Sequence, residues 1–173
     1  MSWAVWLTGP PASGKSTIAR ALDGLLAKEG VRAITLESDA LRRVLTPEPT
    51  YSKEERDRFY AEMADLAALL VAQGFPVILD ATASRRAYRE RARNRIPRFL
   101  EVSVETPLAT REARDPKGLY KNGRRGLIAN LPGLNEVYEE ARRPDLVLKG
   151  DASAEQGASA LLALLREKGF LSG

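Results

Sequence analysis

Short apolar runs alternate along the chain with longer stretches in which apolar residues recur at helical spacing. Five of the runs have the length of buried strands, and they cover residues 3–8, 31–36, 75–79, 99–104 and 146–148. The stretches between them predict helices over residues 16–28, 40–45, 53–73, 85–94 and 153–168. Such alternation is typical of a parallel sheet wrapped by helices, so we predict an α/β fold of three layers.

The clearest helix begins after Ser52, which forms an S-x-x-E capping box with Glu55, and it ends at Gly74. Its apolar residues form one long stripe, so it is expected to pack on the sheet. Residues 107–126 differ, because charged side chains and glycines interrupt any apolar period, and we interpret this segment as a basic lid. The 173 residues fit one domain of ordinary size, residues 1–173.

Composition excludes several kinds of chemistry. The chain has no cysteine and no histidine, which rules out disulfide scaffolds, thiolate or imidazole zinc sites, cysteine nucleophiles and serine–histidine triads. Catalysis must therefore use carboxylates, amines, guanidinium groups, hydroxyls or backbone dipoles. No apolar run approaches the roughly 18 residues of a membrane span, and the N-terminus lacks the charged region of a secretory signal. We expect a cytoplasmic protein that binds no membrane.

A phosphate-binding loop is predicted between the first strand and the first helix. Residues 9–17 read GPPASGKST and fit the pattern G-x-x-x-x-G-K-[ST] in the strand–loop–helix context that the pattern requires. The two glycines let the backbone curl around a polyphosphate, and the positive end of the helix dipole adds to the attraction. A glycine-rich turn without a nucleotide is the alternative. The predicted ATP-binding residues of the loop are Gly9, Pro10, Pro11, Ala12, Ser13, Gly14, Lys15, Ser16 and Thr17.

Four side chains are candidates for the chemistry at this loop. Lys15 is predicted to neutralise the β- and γ-phosphates, and the hydroxyl of Ser16 is predicted to ligate Mg²⁺. Asp39 and Asp80 follow predicted strands at the edge where ligands of parallel sheets bind. Because a hydroxyl that attacks a γ-phosphoryl group needs a carboxylate to take its proton, we assign Asp39 to that task and Asp80 to the metal. The alternatives are a helix N-cap for Asp39 and an Asx-turn for Asp80.

Positive charge is concentrated in two segments of a chain whose net charge is only +4. Residues 85–98 carry seven arginines and one glutamate, and residues 111–125 carry six basic and two acidic side chains. The second segment lies in the predicted lid, where cations would close over phosphates and exclude water. For both basic segments, the alternative to anion binding is that the charged side chains form an exposed, solvated surface. Nucleic-acid binding by residues 85–98 is disfavoured, because few aromatic residues accompany the arginines.

Several motifs in the second half of the chain resemble the adenylylsulfate (APS) kinase family. The most specific is the run R-D-P-K-G-L-Y at residues 114–120, with E-V-S-V at 101–104 before it and Gly133-Leu134 and Tyr138-Glu139 after it. The resemblance implies a P-loop kinase fold with the strand order 2-3-1-4-5. It also implies transfer of the γ-phosphoryl group of MgATP to the 3′-hydroxyl of adenosine 5′-phosphosulfate, a small anionic substrate of sulfate assimilation.

The same resemblance suggests roles for individual residues. Asp39 and Arg42 match the acidic residue and the arginine of the family motif D-G-D-x-x-R, in which Glu37 replaces the first aspartate. Tyr51 matches an aromatic residue that packs on the substrate adenine, and Arg56 matches an arginine that contacts the anionic groups of the substrate. Ser84 matches a family serine proposed to carry a phosphorylated intermediate, which direct in-line transfer does not need. Arg114 of the predicted lid is expected to contact ATP, and the further expected substrate contacts are Ser84, Lys117 and Leu131.

The chain departs from the family at several acceptor positions. Phe59, Ala61 and Glu62 follow where the family has an asparagine and a pair of arginines, and Leu131 replaces the phenylalanine that forms the second wall around the adenine. Residues 80–82, Asp-Ala-Thr, are more similar to small kinases of the polynucleotide-kinase type. A kinase for another small anionic acceptor, such as a nucleoside phosphoanhydride or a sugar phosphate, is therefore the main alternative. A P-loop switch protein is a further alternative function. The sequence leaves open whether the protein forms a homodimer.

Overall fold

A five-stranded parallel sheet forms the centre of the molecule. The computed structural model describes residues 1–172, and its strands are β1 (Ala4–Thr8), β2 (Ile34–Glu37), β3 (Val77–Asp80), β4 (Phe99–Glu105) and β5 (Leu146–Lys149). The strands are arranged in the order β2-β3-β1-β4-β5, and every pairing between them is parallel. The strand order implied by the family resemblance is confirmed.

Helices cover both faces of this sheet. They are α1 (Lys15–Lys28), α2 (Ser38–Leu45), α3 (Lys53–Ala72), α4 (Arg86–Arg95), α5 (Leu108–Arg114), α6 (Leu119–Arg124) and α7 (Ala154–Glu167). Helices α1 and α7 lie together on one face, and α3 and α4 lie together on the other. The predicted three-layer arrangement is therefore confirmed. Within residues 1–172, none of the helices combines the length and the apolar character that crossing a bilayer would need.

Strand β1 separates two hydrophobic cores, because successive side chains of a strand point to opposite faces. Val5 and Leu7 belong to the core beneath α1 and α7, whereas Ala4 and Trp6 belong to the core beneath α3 and α4. All four side chains are completely buried. A continuous apolar run is what a central strand of a parallel sheet requires, since both of its faces are covered.

Most of the predicted bounds differ from the observed ones by one or two residues, and three of the differences have a clear local reason. Strand β2 begins at Ile34 because the amide of Val31 donates to the carbonyl of Leu26 and closes the end of α1. Helix α2 begins at Ser38 because the side chain of Glu37 caps it. The segment predicted as a lid contains two short helices, α5 and α6, on either side of residues 115–118.

The arginines of α4 contact partners inside the protein. Arg91 binds the carboxylate of Asp65 in α3 through two hydrogen bonds of 2.9 and 2.8 Å. Arg93 pairs with Asp145 at 2.8 Å, just before β5. These arginines therefore form ion pairs within the protein, and the carboxylates neutralise much of the positive charge that an external anion would need.

Replacing Arg89 with methionine should destabilise the fold strongly. The buried guanidinium donates to the carbonyl oxygens of Ala83 (2.7 Å) and Glu139 (2.6 Å), and its Nε lies 2.7 Å from Oε1 of Glu101. Without it the buried Glu101 keeps only a longer contact, 3.6 Å to Nη2 of Arg93, so we expect a loss of about 3–5 kcal/mol in the free energy of unfolding. Urea denaturation measures this loss, with the exposed Arg58→Met as the matched control. Equal midpoints for the two variants would contradict this role.

Candidate active site

The loop of residues 9–14 depends on a glycine at each end. A Cβ on Gly9 would stand 2.6 Å from the carbonyl oxygen of Val104 in the neighbouring strand β4, so this position has no room for a side chain. Gly14 has a φ of +102°, which favours glycine, and α1 begins at the next residue. The loop can therefore turn back over the end of β1 and present the N-terminal end of α1 to an anion.

Lys15 is a buried cation at the start of α1. Its Nζ donates to the carbonyl oxygens of Gly9 (2.8 Å) and Pro10 (3.0 Å). Burial lowers the pKa of Lys15 to about 8, and the nearby carboxylate of Asp80 opposes that shift. Because both carbonyl acceptors are neutral, the ammonium keeps a charge that an anion can neutralise.

Ser16 and Asp80 meet beside the loop. The hydroxyl of Ser16 donates to Oδ2 of Asp80 at 2.6 Å. Asp80 ends β3, and its Cα partner in β1 is Leu7, so the carboxylate lies next to the point where the loop leaves the sheet. Burial raises the pKa of Asp80. Within residues 1–172, no neighbouring backbone amide donates to this carboxylate, so the Asx-turn alternative for Asp80 is wrong.

Asp39 has no part in capping α2. The two carboxylate oxygens of Glu37 accept hydrogen bonds from the amides of Asp39 and Ala40, each at 3.0 Å, and Glu37 is therefore the N-cap. The carboxylate of Asp39 instead forms an ion pair with Nζ of Lys117 in the lid. The N-cap alternative for Asp39 is wrong, and the cap at Glu37 fixes the helical turn that carries Asp39.

These groups line one cleft of about 1160 Å³ at the carboxyl edge of the sheet, here called the main cleft. The loop and α1 form one wall, the start of α2 forms a second, and the lid and the segment after β5 form a third. The predicted residues that the structure brings together there are Pro11, Ala12, Ser13, Gly14, Lys15, Ser16, Thr17, Asp39, Asp80, Arg114 and Lys117.

Three residues predicted to bind the acceptor form a separate group, here called the arginine–tyrosine cluster: Arg42, Tyr51 and Arg56. The guanidinium carbon atoms of Arg42 and Arg56 lie 4.8 and 6.0 Å from the ring centroid of Tyr51. Arg42 pairs with Glu55, and Arg56 pairs with Glu136. The structure gathers these residues as expected, but two glutamates already balance the charge of the arginines.

The other two predicted acceptor contacts, Ser84 and Leu131, do not line the main cleft. Ser84 is buried, and its carbonyl oxygen accepts a hydrogen bond of 2.8 Å from the amide of Glu139. Leu131 is also buried, and its Cδ2 lies 3.5 Å from where a Cβ on Gly123 of α6 would stand. Their contacts with a substrate stay predictions, and the position of Leu131 favours packing beneath the lid.

Two residues that support the loop from behind were not predicted. The hydroxyl of Thr106 donates to the carbonyl oxygen of Ser13 at 2.7 Å. A Cβ on Gly150 would overlap both the Ser13 carbonyl and the Thr106 hydroxyl, so only glycine lets the end of β5 come this close. Their only signal in the sequence is a threonine or a glycine two positions after a predicted strand.

The loop offers few oxygen ligands for a metal ion, and this small number fits a Mg²⁺ ion that takes most of its ligands from a nucleotide and from water. Residues 1–172 contain no group of three or more Asp, Glu, His or Cys side chains that could hold a metal ion. Ser16 and Asp80 nevertheless place a hydroxyl and a carboxylate 2.6 Å apart at the edge of the main cleft. Because Mg²⁺ in such sites takes one or two protein oxygens, waters and phosphate oxygens, this small set is sufficient.

Three features together define a P-loop kinase: the parallel sheet, the loop between Gly9 and Gly14, and Asp39 in the same cleft as that loop. Comparison with known proteins narrows this class. A family model described as adenylylsulphate kinase matches residues 1–149, and the chain belongs to that family. The family resemblance seen in the sequence is confirmed.

Individual relatives agree with this assignment. The adenylyl-sulfate kinase of Citrobacter koseri is 41% identical over 165 residues, which are 94% of this chain and 82% of the relative. A probable adenylyl-sulfate kinase of Archaeoglobus fulgidus is 40% identical over 151 residues, 87% of this chain and 97% of the relative. The APS kinase of Mycobacterium tuberculosis, solved in complex with AMPPNP and APS, has a TM-score of 0.90 and 33% identity, over 95% of this chain and 98% of that one.

Replacing Gly150 with alanine should weaken ATP binding in a protein that still folds. The new Cβ would push Ser13 and with it the phosphate-binding loop, and such a displacement costs on the order of tenfold to 100-fold in function. Calorimetric titration with ATP measures the change. The matched control is Gly24→Ala, because nothing lies within 4 Å of a Cβ at Gly24. Equal ATP affinity in the two variants would contradict the support that we assign to Gly150.

Proposed function

We propose that this chain is an adenylylsulfate kinase, which transfers the γ-phosphoryl group of MgATP to the 3′-hydroxyl of adenosine 5′-phosphosulfate. One observation carries the proposal: in a chain of this family, the phosphate-binding loop, Asp39 and Lys117 of the lid face one cleft. Transfer to a hydroxyl requires a carboxylate opposite the phosphate site. A P-loop switch would leave Asp39 without a task.

Residues 9–17 bind the triphosphate of ATP. Backbone amides of the loop and the N-terminal end of α1 contact its oxygens, and Lys15 neutralises the β- and γ-phosphates. Arg114 acts from the lid, because its Nη1 lies 3.6 Å from where a Cβ on Gly14 would stand. A guanidinium at this place binds phosphate oxygens with two donors at once.

Ser16 would hold Mg²⁺ directly, and Asp80 would hold its coordinated waters. When bound there, the metal ion would offset the negative charge of the phosphate groups. The chain prepares this arrangement, because the hydroxyl hydrogen of Ser16 points to Asp80 and the oxygen lone pairs therefore point away from it. A hydroxyl oxygen oriented in this way is a hard donor, as Mg²⁺ requires.

Asp39 acts as the general base. It takes the proton of the 3′-hydroxyl while the oxygen of that group attacks the γ-phosphorus in line with the leaving group. The bond between O3′ and the γ-phosphorus forms, the bond from the γ-phosphorus to the β–γ bridging oxygen breaks, and ADP leaves. Lys117 stands beside Asp39 and offsets the charge that develops on the transferred group.

The acceptor is expected on the side of the arginine–tyrosine cluster. The ring of Tyr51 is partly exposed and offers a face on which adenine can stack. Arg42 and Arg56 approach that ring, so their remaining donors can contact the anionic groups of the acceptor. Ser84 and Leu131 complete the predicted set of acceptor contacts.

A kinase for another small anionic acceptor is the second candidate, and one observation favours it. Both arginines of the cluster pair with glutamates, Arg42 with Glu55 and Arg56 with Glu136. These ion pairs cancel much of the positive charge that would attract a phosphosulfate group. The cytoplasmic location and the homodimer stay predictions from the sequence alone.

Replacing Asp39 with asparagine should lower kcat by roughly 10²- to 10⁴-fold while ATP affinity stays nearly unchanged. An amide has the shape of the carboxylate but cannot accept the proton. Coupled measurement of ADP release gives kcat, and calorimetry gives the ATP affinity. Glu54→Gln, which changes an exposed carboxylate outside the main cleft, is the control. Weaker ATP binding with an unchanged kcat would show that Asp39 has another role.

A panel of acceptors separates the two candidate functions. ADP release from MgATP should be fastest with adenosine 5′-phosphosulfate, and the product should carry a phosphate on the 3′-oxygen. Nucleoside 5′-phosphates and sugar phosphates serve as the competing acceptors, and the Asp39→Asn variant gives the background rate. A higher kcat/KM for any competing acceptor would favour the second candidate instead.

A further inference from the structure

Arg111 of α5 is a buried cation for which the mechanism above has no use. Its relative exposure is 8%. Nη1 donates to the hydroxyl of Tyr120 at 2.9 Å, and Nε is buried without any hydrogen-bond partner in residues 1–172. A guanidinium group has five N–H donors. Most of the hydrogen-bonding capacity of this one is therefore unused by the rest of the chain.

The charge of Arg111 is also unbalanced. The other buried arginines pair with carboxylates, Arg42 with Glu55 and Arg89 with Glu101. Arg111 makes no such ion pair with any residue that the structure describes. Its charge instead acts on Lys15, where it helps to lower the pKa. Since a buried charge is costly unless it is paired, two unpaired cations on either side of the loop indicate that an anion binds between or beside them.

Arg111 lines a cavity of about 450 Å³, here called the second cavity, together with Pro10 of the phosphate-binding loop. Residues 133–138 and Glu140 form the rest of its wall. A Cβ on Gly133 would overlap Nη1 of Arg111 and lie 3.0 Å from Cβ of Pro10. Glycine at position 133 thus lets the loop, the lid and the following segment close around one guanidinium.

The second cavity adjoins the predicted acceptor site. Glu136 lines the cavity and also pairs with Arg56 of the arginine–tyrosine cluster. Glu140 is the other acidic residue of the wall, and it is exposed, so solvent screens its charge. Arg111 is the cation of this cavity that has no ion pair within residues 1–172. It lines the cavity together with Pro10, which lies near the start of the phosphate-binding loop.

We propose that Arg111 binds the anionic phosphosulfate group of the acceptor in the second cavity and is a specificity-determining residue of this enzyme. The inference rests on the proposed function. The planar guanidinium can donate two parallel hydrogen bonds to a sulfate or phosphate group. Arg111 thereby supplies a positive charge that no carboxylate of the described residues neutralises, unlike Arg42 and Arg56.

The variant Arg111→Met tests this role. A lost charged hydrogen bond should raise the KM for adenosine 5′-phosphosulfate by about 10- to 100-fold and leave the KM for ATP unchanged. Arg124→Met is the matched control, because it removes an exposed arginine of the same lid that pairs with Glu112 at 2.7 Å. A KM for the acceptor that is equal in the two variants would overturn the proposal.

A purely structural role is tested by Tyr120→Phe. The hydroxyl of Tyr120 accepts from Arg111 and donates to the carbonyl oxygen of Pro11 at 2.7 Å, so Arg111 could act only by holding the loop. If Tyr120→Phe raises the acceptor KM as much as Arg111→Met does, the proposal fails. If Arg111→Met does not fold, Arg111→Lys decides: weaker acceptor binding with normal ATP binding supports the two-donor contact, and an unchanged acceptor KM overturns it.

Calorimetry with inorganic sulfate separates this proposal from the proposed function. If the wild-type protein neither binds nor phosphorylates adenosine 5′-phosphosulfate, the proposed function fails. Sulfate binding that is lost in Arg111→Met and kept in Arg124→Met would then still support an anion site at Arg111. Equal sulfate binding in wild type and both variants, together with equal acceptor affinity, would overturn the site itself.

Discussion

The parallel register of β1 with its two neighbours places the reactive groups of this protein. Leu7 of β1 is the partner of Asp80 in β3, and Thr8 is the partner of Ser103 in β4. The phosphate-binding loop therefore leaves the sheet between a carboxylate on one side and the base of the lid on the other. A slip of one residue would turn Asp80 to the opposite face of the sheet and separate it from Ser16.

Much of this arrangement could be predicted because repeating patterns encode it. The apolar runs gave the number of strands, and the loop motif gave Lys15 and Ser16 their positions. The cap of α2 could not be predicted, since two acidic residues lie two positions apart and the backbone angles decide which one caps. The support from Gly150 depends on a close approach between distant parts of the chain, to which no sequence period corresponds.

Arginine serves different purposes at different places in this chain, and composition does not separate them. Arg91 and Arg93 pair with carboxylates and hold layers of the fold together. Arg124 pairs with Glu112 on the surface of the lid, whereas Arg111, from the same basic segment, turns inward. Which of two arginines faces the interior depends on how short helices pack, and that depends on the tertiary contacts of Tyr120 and Gly133 rather than on local sequence.

The lid contacts two other parts of the protein, and the segment that follows it contacts a third. Lys117 pairs with Asp39 of α2, and the hydroxyl of Tyr120 donates to Pro11 of the loop. Beyond α6, the side chain of Asn130 donates to the carbonyl oxygen of Tyr51 at 2.8 Å. The contacts of Lys117 and Tyr120 must both break before the lid can move away from the phosphate-binding loop, and movements of this kind commonly limit turnover.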